Sequence, residues 1–372
     1  MDSDLRNMTE PQRQHPKKRY RFDFVLTVLT GNLSRYLYTR PLVDSDPTIV
    51  ARWYPIRTWV QGDWLGFLPG GMRLRARHLL DSRRLFFRRP ADAVVVHALD
   101  TYSLYALWHR LFRLRTVVVN NPDGVDYAGK TGLNKRLLAS AMRETSLFVP
   151  WSNFTADHIM RACPEARMRM LVLHPGLPIE NWPLRNPPPP TDRFRLLFVG
   201  GDAVRKGIHE LLDAFGDSLH EFCELNVASQ SGFMSNDLRT RISSMPHVAL
   251  HLDLPAGSPE LRELFANADA FVLPTRSDLS PWVALEAMAT GLPVVITDVG
   301  GISDMVKDGE TGLIVATEDP RGIEAAVRRL HADPELCRQL VTQARSYVEQ
   351  NFDARVNCEL LLGAVKQLVD KR

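Results

Sequence analysis

The sequence predicts an α/β protein of two tandem Rossmann-like parallel-sheet lobes facing each other across a cleft, and three observations carry that prediction. The chain has 372 residues, and at roughly 150 residues per domain it holds more than one core. Short runs rich in Val, Ile, Leu and Phe alternate with longer helical stretches, and several are continuously apolar, as expected of strands covered by helices on both faces. Four consecutive prolines, Pro187 to Pro190, divide these runs into two sets.

The first set comprises Phe22–Leu29, Thr48–Ile56, Ala93–Ala98, Thr116–Asn121, Leu147–Ser152 and Leu171–Gly176. The second comprises Arg195–Gly201, Glu224–Ser229, Val248–Leu252, Ala270–Thr275, Pro293–Thr297 and Gly312–Val315. Proline is excluded from helix interiors and central strands, so residues 183–194 read as a linker stiffened toward polyproline II. Residues 1–20 read as a disordered polar tail, and they contain no apolar run that could serve as a signal-peptide core. The predicted lobes are 21–182 and 195–351, and the site of such a pair lies in the cleft, beyond the carboxyl ends of the strands.

With 45% hydrophobic and 24% charged residues, the composition excludes a disordered chain. No stretch is long and apolar enough for a transmembrane helix, so any membrane contact is expected to be peripheral. Cys163, Cys223, Cys337 and Cys358 lie far apart, which suits neither a zinc cluster nor a disulfide scaffold and predicts a reducing, cytoplasmic setting. Charge is unevenly spread: residues 1–182 carry 27 Lys/Arg against 16 Asp/Glu, and the remainder 19 against 27. The basic half suits an anionic partner.

Two segments carry chemistry. In FVLPTRSDLSPWVALEAMATGLPVV, a strand delivers Asp278 into a loop and a helix beginning near Pro281 carries Glu286. The two carboxylates could hold sugar hydroxyls and a ribose diol, with phosphates at the helix N-terminus. The same spacing suits a plain structural role, with Asp278 capping the helix and Glu286 in a surface salt bridge. In LLFVGGDAVRKGIHELLDAF, a strand ends in Gly200-Gly201, the loop carries Arg205 and Lys206, and Gly207 precedes a helix. Two cations there can neutralise a diphosphate, although a solvated turn would read alike.

Elsewhere, Gly31 and Asn32 follow the first strand directly, where a plain turn glycine is the rival reading. His97 closes the AVVVHA run, and a lone histidine beside an apolar strand is more often structural than catalytic. The stretch Gly71 to Pro90 holds seven arginines between Arg73 and Arg89, interleaved with Leu and Phe. Two readings stay open for it: a surface helix packing its apolar face on the sheet, or a cationic amphipathic device for an anionic membrane or acceptor. Nucleic acid is not expected as a partner, because no recognition motif accompanies the charge.

The Asp278–Glu286 segment, with AMATGLPVVITDVGGISDMVKDGETGLIV after it, resembles the E-x7-E region of retaining glycosyltransferases of family 4, the group 1 glycosyltransferases, which have the GT-B fold. Asp278 stands where that pattern usually has Glu, and Val299–Val306 resembles the family's VGGIPEVV stretch. The resemblance places Arg205 and Lys206 on the donor pyrophosphate, whereas Gly201 stands where many members have Arg. It implies that Gly31 and Asn32 close on the phosphates and that Ser280, Trp282 and Val283 join the donor set. Glu286 would fix the ribose and Asp278 the transferred sugar, and His97 would face the acceptor, with Asp100 and Asp123 as alternatives. His174 reads as structural and Gly176 as a backbone contact near the lobe junction, while residues 352–372 look like the terminal helix that crosses back to the first lobe.

The expected activity is therefore retaining transfer of a sugar from a nucleoside diphosphate sugar to an acceptor hydroxyl, on a glycan, glycolipid or lipopolysaccharide-type acceptor. Arg205, Lys206 and helix-terminal amides would stabilise the departing diphosphate, the leaving phosphate would take the acceptor proton, and neither metal nor other cofactor is expected. A nucleotide-sugar epimerase on the same fold and a non-catalytic binding protein are the alternatives, the latter suggested by Gly201 and Asp278.

Overall fold

The computed structural model describes residues 19–28, 39–57, 91–97, 116–120, 132–186, 189 and 191–372. Gly31, Asn32, Asp100, Asp123 and the Arg73–Arg89 stretch lie outside the described residues.

The first lobe is built on strands β1 (Tyr20–Val28), β2 (Ile49–Arg57), β3 (Ala93–His97), β4 (Val117–Asn120) and β5 (Leu147–Val149). They form one parallel sheet in the order β2-β1-β3-β4-β5. Successive side chains of a strand point to opposite faces, so β3 sends Val94 and Val96 into one core and Ala93 and Val95 into the other. That is why this strand is apolar from Ala93 to Val96 and buried at every position.

Tyr20 opens β1 one residue inside the predicted tail, its N–H bonded to Thr48 O at 2.8 Å. The sixth predicted run, Leu171–Gly176, is not a strand. Leu171 and Leu173 donate to Phe148 O and Pro150 O, each at 2.9 Å. Pro150 has no N–H with which to return the next ladder bond, so pairing stops at the single bridge between Phe148 and Met170.

The second lobe holds β6 (Phe194–Val199), β7 (Cys223–Ser229), β8 (Val248–Leu252), β9 (Ala270–Leu273), β10 (Val294–Thr297) and β11 (Leu313–Val315). Their order is β11-β10-β9-β6-β7-β8, again with every pair parallel. Its core includes Leu196, Phe198, Phe265 and Phe271, all fully buried. β6 begins at the last residue of the predicted linker, and Trp182, just before that linker, is buried in this same core.

Two crossings join the lobes. Leu177 N–H donates to Phe352 O at 2.7 Å and Ala354 N–H to Leu177 O at 2.8 Å, so the outgoing and returning chains pair side by side. Gly176 permits this approach: its φ is +75°, and a Cβ there would lie 2.5 Å from Phe352 O. The helix Ala354–Asp370 follows, capped by the Asp353 carboxylate, which accepts from Arg355 and Val356 N–H at 2.8 and 3.1 Å. Cys358, Leu362 and Val365 share one helical face and enter a first-lobe core. Lys366 pairs with Asp46 at 2.6 Å, and the Tyr20 hydroxyl donates to Asp370 at 2.8 Å. The last helix thus ties the far end of the chain to its first strand.

Candidate functional site

In a doubly wound sheet, ligands collect where neighbouring strands send their connections to opposite sides. The second sheet reverses between β6 and β9. The segments leaving those two strands, Gly200–Gly207 and Pro274–Pro281, are the ones that carry the predicted donor residues. The first sheet reverses between β1 and β3, where His97 ends β3.

The β6 loop is held from both sides. Gly200 N–H donates to Ala228 O at 3.0 Å, and Ser229 Oγ donates to the Gly200 and Gly201 carbonyls at 2.8 and 3.1 Å. Gly207 has φ +83°, and a Cβ there would fall 1.9 Å from Pro274 O, so the two loops touch backbone to backbone at a point only glycine allows. Arg276 N–H and Thr275 Oγ1 then donate to Arg205 O at 3.0 and 3.3 Å.

This contact brings Lys206 and Asp278 together, 72 positions apart in sequence. The Lys206 ammonium pairs with an Asp278 carboxylate oxygen, both side chains being nearly buried. The other Asp278 oxygen accepts from Ser280 N–H at 3.3 Å. Asp278 therefore takes neither helix-capping position: the residue preceding the helix Trp282–Thr290 is Pro281. Arg205 lies on the exposed side, bonded to Ser277 O and 3.6 Å from Asp202.

Beside the loops opens a cavity of about 460 Å³ whose wall includes Val199, Gly201, Ser229, Gln230, Val283 and Glu286. Glu286 is buried, contrary to a surface salt bridge. Val283 and Glu286 share a wall because residues three apart lie on one helical face. The opposite side comes from the ends of β7 and β8, including Phe233 and Asp253. Asp253 adopts φ +59° and accepts from Ser231 N–H at 2.8 Å, joining these two loops into one rim. The sequence reading missed this rim, which lacks any charged motif. Its only signal was position, at the carboxyl ends of two predicted strands.

Trp282 and Ser280 do not line that cavity. Trp282 is buried at the lobe boundary, with ring centroids 5.3 Å from His174 and 6.1 Å from Trp151. Ser280 Oγ approaches Met305 Sδ at 3.6 Å. Across the same boundary Asp304 accepts from Asn153 N–H at 2.5 Å and Asn153 Nδ2 at 3.0 Å, placing a carboxylate on the N-terminus of the first-lobe helix Asn153–Ala162.

His97 is buried at the carboxyl end of β3, its ring 5.7 Å from Trp151, and burial pushes its pKa down to about 3. His174 is pushed to about 3 by the same cause. Both rings are thus neutral near pH 7. His174 Nδ1 accepts from Gly176 N–H at 2.9 Å, which puts its proton on Nε2.

Among the described residues, no three His, Cys, Asp or Glu side chains converge as a metal site. The Asp44-Ser45-Asp46 triplet has D-x-D spelling, but it precedes β2 at the amino end of the sheet. Its carboxylates are taken by Trp53 Nε1 at 2.9 Å, Arg40 at 3.3 Å and Lys366. No helix among the described residues is long and apolar enough to cross a membrane.

Two facing parallel-sheet lobes with a basic loop and a buried acidic helix at the second switch point define a GT-B protein, the fold of many sugar-transferring proteins. Residues 193–333, in the second lobe, match the family of glycosyl transferases group 1. It is 29% identical over 218 residues to glycogen synthase of Mycobacterium tuberculosis, covering 57% of this chain and 52% of that protein. It is 32% identical over 247 residues to D-inositol 3-phosphate glycosyltransferase of Arthrobacter sp., covering 63% and 57%. The chain thus spans about half the length of these relatives. Among solved structures, sucrose-phosphate synthase of Thermosynechococcus elongatus superposes with a TM-score of 0.75 at 16% identity, over 95% of this chain and all of that one. Anabaena HepE in complex with UDP gives 0.73 at 15% identity, over 94% and 100%.

Proposed function

We propose that this protein transfers a sugar from a nucleoside diphosphate sugar to an acceptor hydroxyl with retention of configuration and without a metal. The observation that carries the reading is the meeting of Lys206 and Arg205 with the Asp278–Glu286 segment beside a 460 Å³ cavity at the switch point. Glu286 on the cavity wall suits a ribose diol, and the rim at Phe233 and Asp253 leaves room for the base. Arg205 and Lys206 would neutralise the diphosphate as it departs, a preorganised electrostatic contribution. Asp278, released from Lys206, would then accept from hydroxyls of the transferred sugar. The leaving phosphate would take the acceptor proton on the same face. Neutral His97 suits a hydrogen bond to the acceptor side better than a charge.

The basic stretch Arg73–Arg89 is the proposed contact for a glycan or lipid-linked acceptor and for a peripheral anionic membrane surface, on the cytoplasmic face. UDP, GDP, ADP, dTDP and CMP test the donor side by thermal shift, with and without chelator. A ligand at about one hundred times its Kd adds roughly 2.7 kcal/mol, so one nucleoside diphosphate should raise Tm regardless of chelator and fail with Lys206→Ala. No shift with any nucleotide would overturn the reading. Conversion of the donor sugar without an acceptor would instead indicate an epimerase.

A further inference from the structure

A second cavity, of about 540 Å³, opens at the opposite end of the second lobe. It lies at the amino ends of β6, β9 and β10, among Phe194, Asp269 and Pro293. The helix Trp282–Thr290 links the two ends of the lobe: Glu286 faces the donor-side cavity, while Gly291, just past the helix, lines this one.

Four arginines line it, Arg185, Arg193, Arg195 and Arg338, against the carboxylates of Asp192 and Asp269. Asp269 is already engaged by Arg195, through Nε and Nη2 at 2.8 Å each. Arg193 donates to His220 O and Cys223 O at 2.9 and 3.0 Å. Arg185 is the decisive residue. Its guanidinium donates to Gly291 O at 3.2 Å, Ala266 O at 3.1 Å and Ala268 O at 2.5 Å, and among the described residues no carboxylate pairs with it. Burial pushes it down to about 10, below the usual arginine range. Asp269, the carboxylate that acts on half-buried Arg185, is already shared with Arg195, so a negative group entering the cavity would add a counter-charge where four guanidiniums face two carboxylates. Leu184, Leu330 and Val341 complete the wall with apolar surface.

We propose that this cavity is a second ligand site, for a small organic anion that combines a phosphate or carboxylate head with an apolar body. The guanidinium forks match either head, and the aliphatic wall takes the body. The site is separate from the donor diphosphate site, since it lies at the other end of the same sheet.

Phenyl phosphate and benzoate serve as probes, with inorganic phosphate and benzyl alcohol as the head-only and body-only controls. Titration calorimetry on the full chain, with and without an excess of the nucleoside diphosphate that raises Tm, should show saturable binding of phenyl phosphate or benzoate that the nucleotide does not displace. Each control should bind more weakly. Arg338→Glu, at an exposed rim position, should weaken binding about three- to tenfold while leaving the nucleotide's thermal shift unchanged. Arg185→Met should weaken it further if the variant folds. Cys337, which lines the cavity and is partly exposed, gives an independent readout: the bound probe should slow its alkylation by iodoacetamide several-fold. Displacement by that nucleotide, equal binding of benzyl alcohol, indifference to Arg338→Glu, or no saturable binding at millimolar probe would each overturn the proposal.

Discussion

The two lobes share an architecture and differ in how they are built around their switch points. In the second lobe, one glycine and a set of backbone bonds lock the β6 and β9 loops into a single unit, with Lys206 and Asp278 paired at its centre. Among the described residues of the first lobe, the carboxyl end of the sheet presents uncharged groups: buried His97, half-buried Asn120 accepting from Trp151 Nε1 at 3.3 Å, and the aromatic contacts toward Trp282. The second lobe is also the one that matches a family. A diphosphate is the same ligand for many enzymes and demands fixed cations and amides, whereas an acceptor differs from one enzyme to the next. On the proposed function, the locked and charged loop pair of the second lobe serves the donor diphosphate, and the groups at the end of the first sheet lie on the acceptor side.

The sharpest way to break the comparison is Lys206→Ala. Loss of this cation should lower kcat/KM for donor by about 10²–10³, in the range seen on removing one preorganised donor, as read by single-turnover transfer. It should also leave Asp278 unpaired. A Lys206→Ala/Asp278→Ala double variant is therefore expected to be more stable in urea than the two single losses added together. Additive losses would mean that the pair contributes nothing as a pair.

Acid tests the first lobe and the junction. The folded-state pKa values of His97 and His174 are pushed down to about 3, against about 6.5 in an unfolded chain. Below pH 6.5 the unfolded chain takes up protons that the folded one refuses, so stability is complete above that pH and falls as pH drops toward 3. At pH 5 each histidine should cost about 2 kcal/mol. Urea melts between pH 5 and 8 should show this slope, and His174→Asn should flatten it; an unchanged midpoint across that range would exclude buried neutral histidines.

A smaller effect is expected at the boundary. Asp304→Asn keeps the size of the side chain but removes the charge that meets the Asn153 helix N-terminus, costing about 0.3–1 kcal/mol. If the contact holds the lobes in register, KM for donor should rise with kcat little changed. The smallest effect is a gain. Gly201→Arg introduces a Cβ only 3.3 Å from the flexible end of Gln230, and the added cation should tighten binding of the nucleoside diphosphate found by thermal shift by up to about tenfold at low salt, fading as salt screens it. Salt-independent tightening would place the new side chain away from the phosphates.

Much of this was legible beforehand for physical reasons that differ from element to element. β3 and β9 were found because strands buried on both faces must be apolar at each position. Leu171–Gly176 misled because its composition is that of a strand while the missing N–H belongs to its neighbour, Pro150. Arg205 with Lys206, and Asp278 with Glu286, were read as two separate motifs, and Glu286 stands on a helix as expected. The direct pairing of Lys206 with Asp278 was not foreseen, because nothing in a linear pattern states which of two loops will touch. Trp282 was assigned to the donor set, yet its ring is buried against His174 at the lobe boundary. Which way a first-turn aromatic faces depends on what packs on it.

By itself the sequence determined the local terms: strand and helix periodicity, the proline-rich break, the order of the basic and acidic motifs, and the glycines at their turns. Those follow from backbone sterics and side-chain solvation, which act over a few residues. Tertiary structure alone decided which charges neutralise one another, that the outgoing and returning chains cross at Gly176, that two histidines lose access to water, and that Arg185 spends its guanidinium on backbone carbonyls at the edge of a cavity. Each of these depends on desolvation and through-space contact between residues tens to hundreds of positions apart, and such distances exist only once the chain has folded.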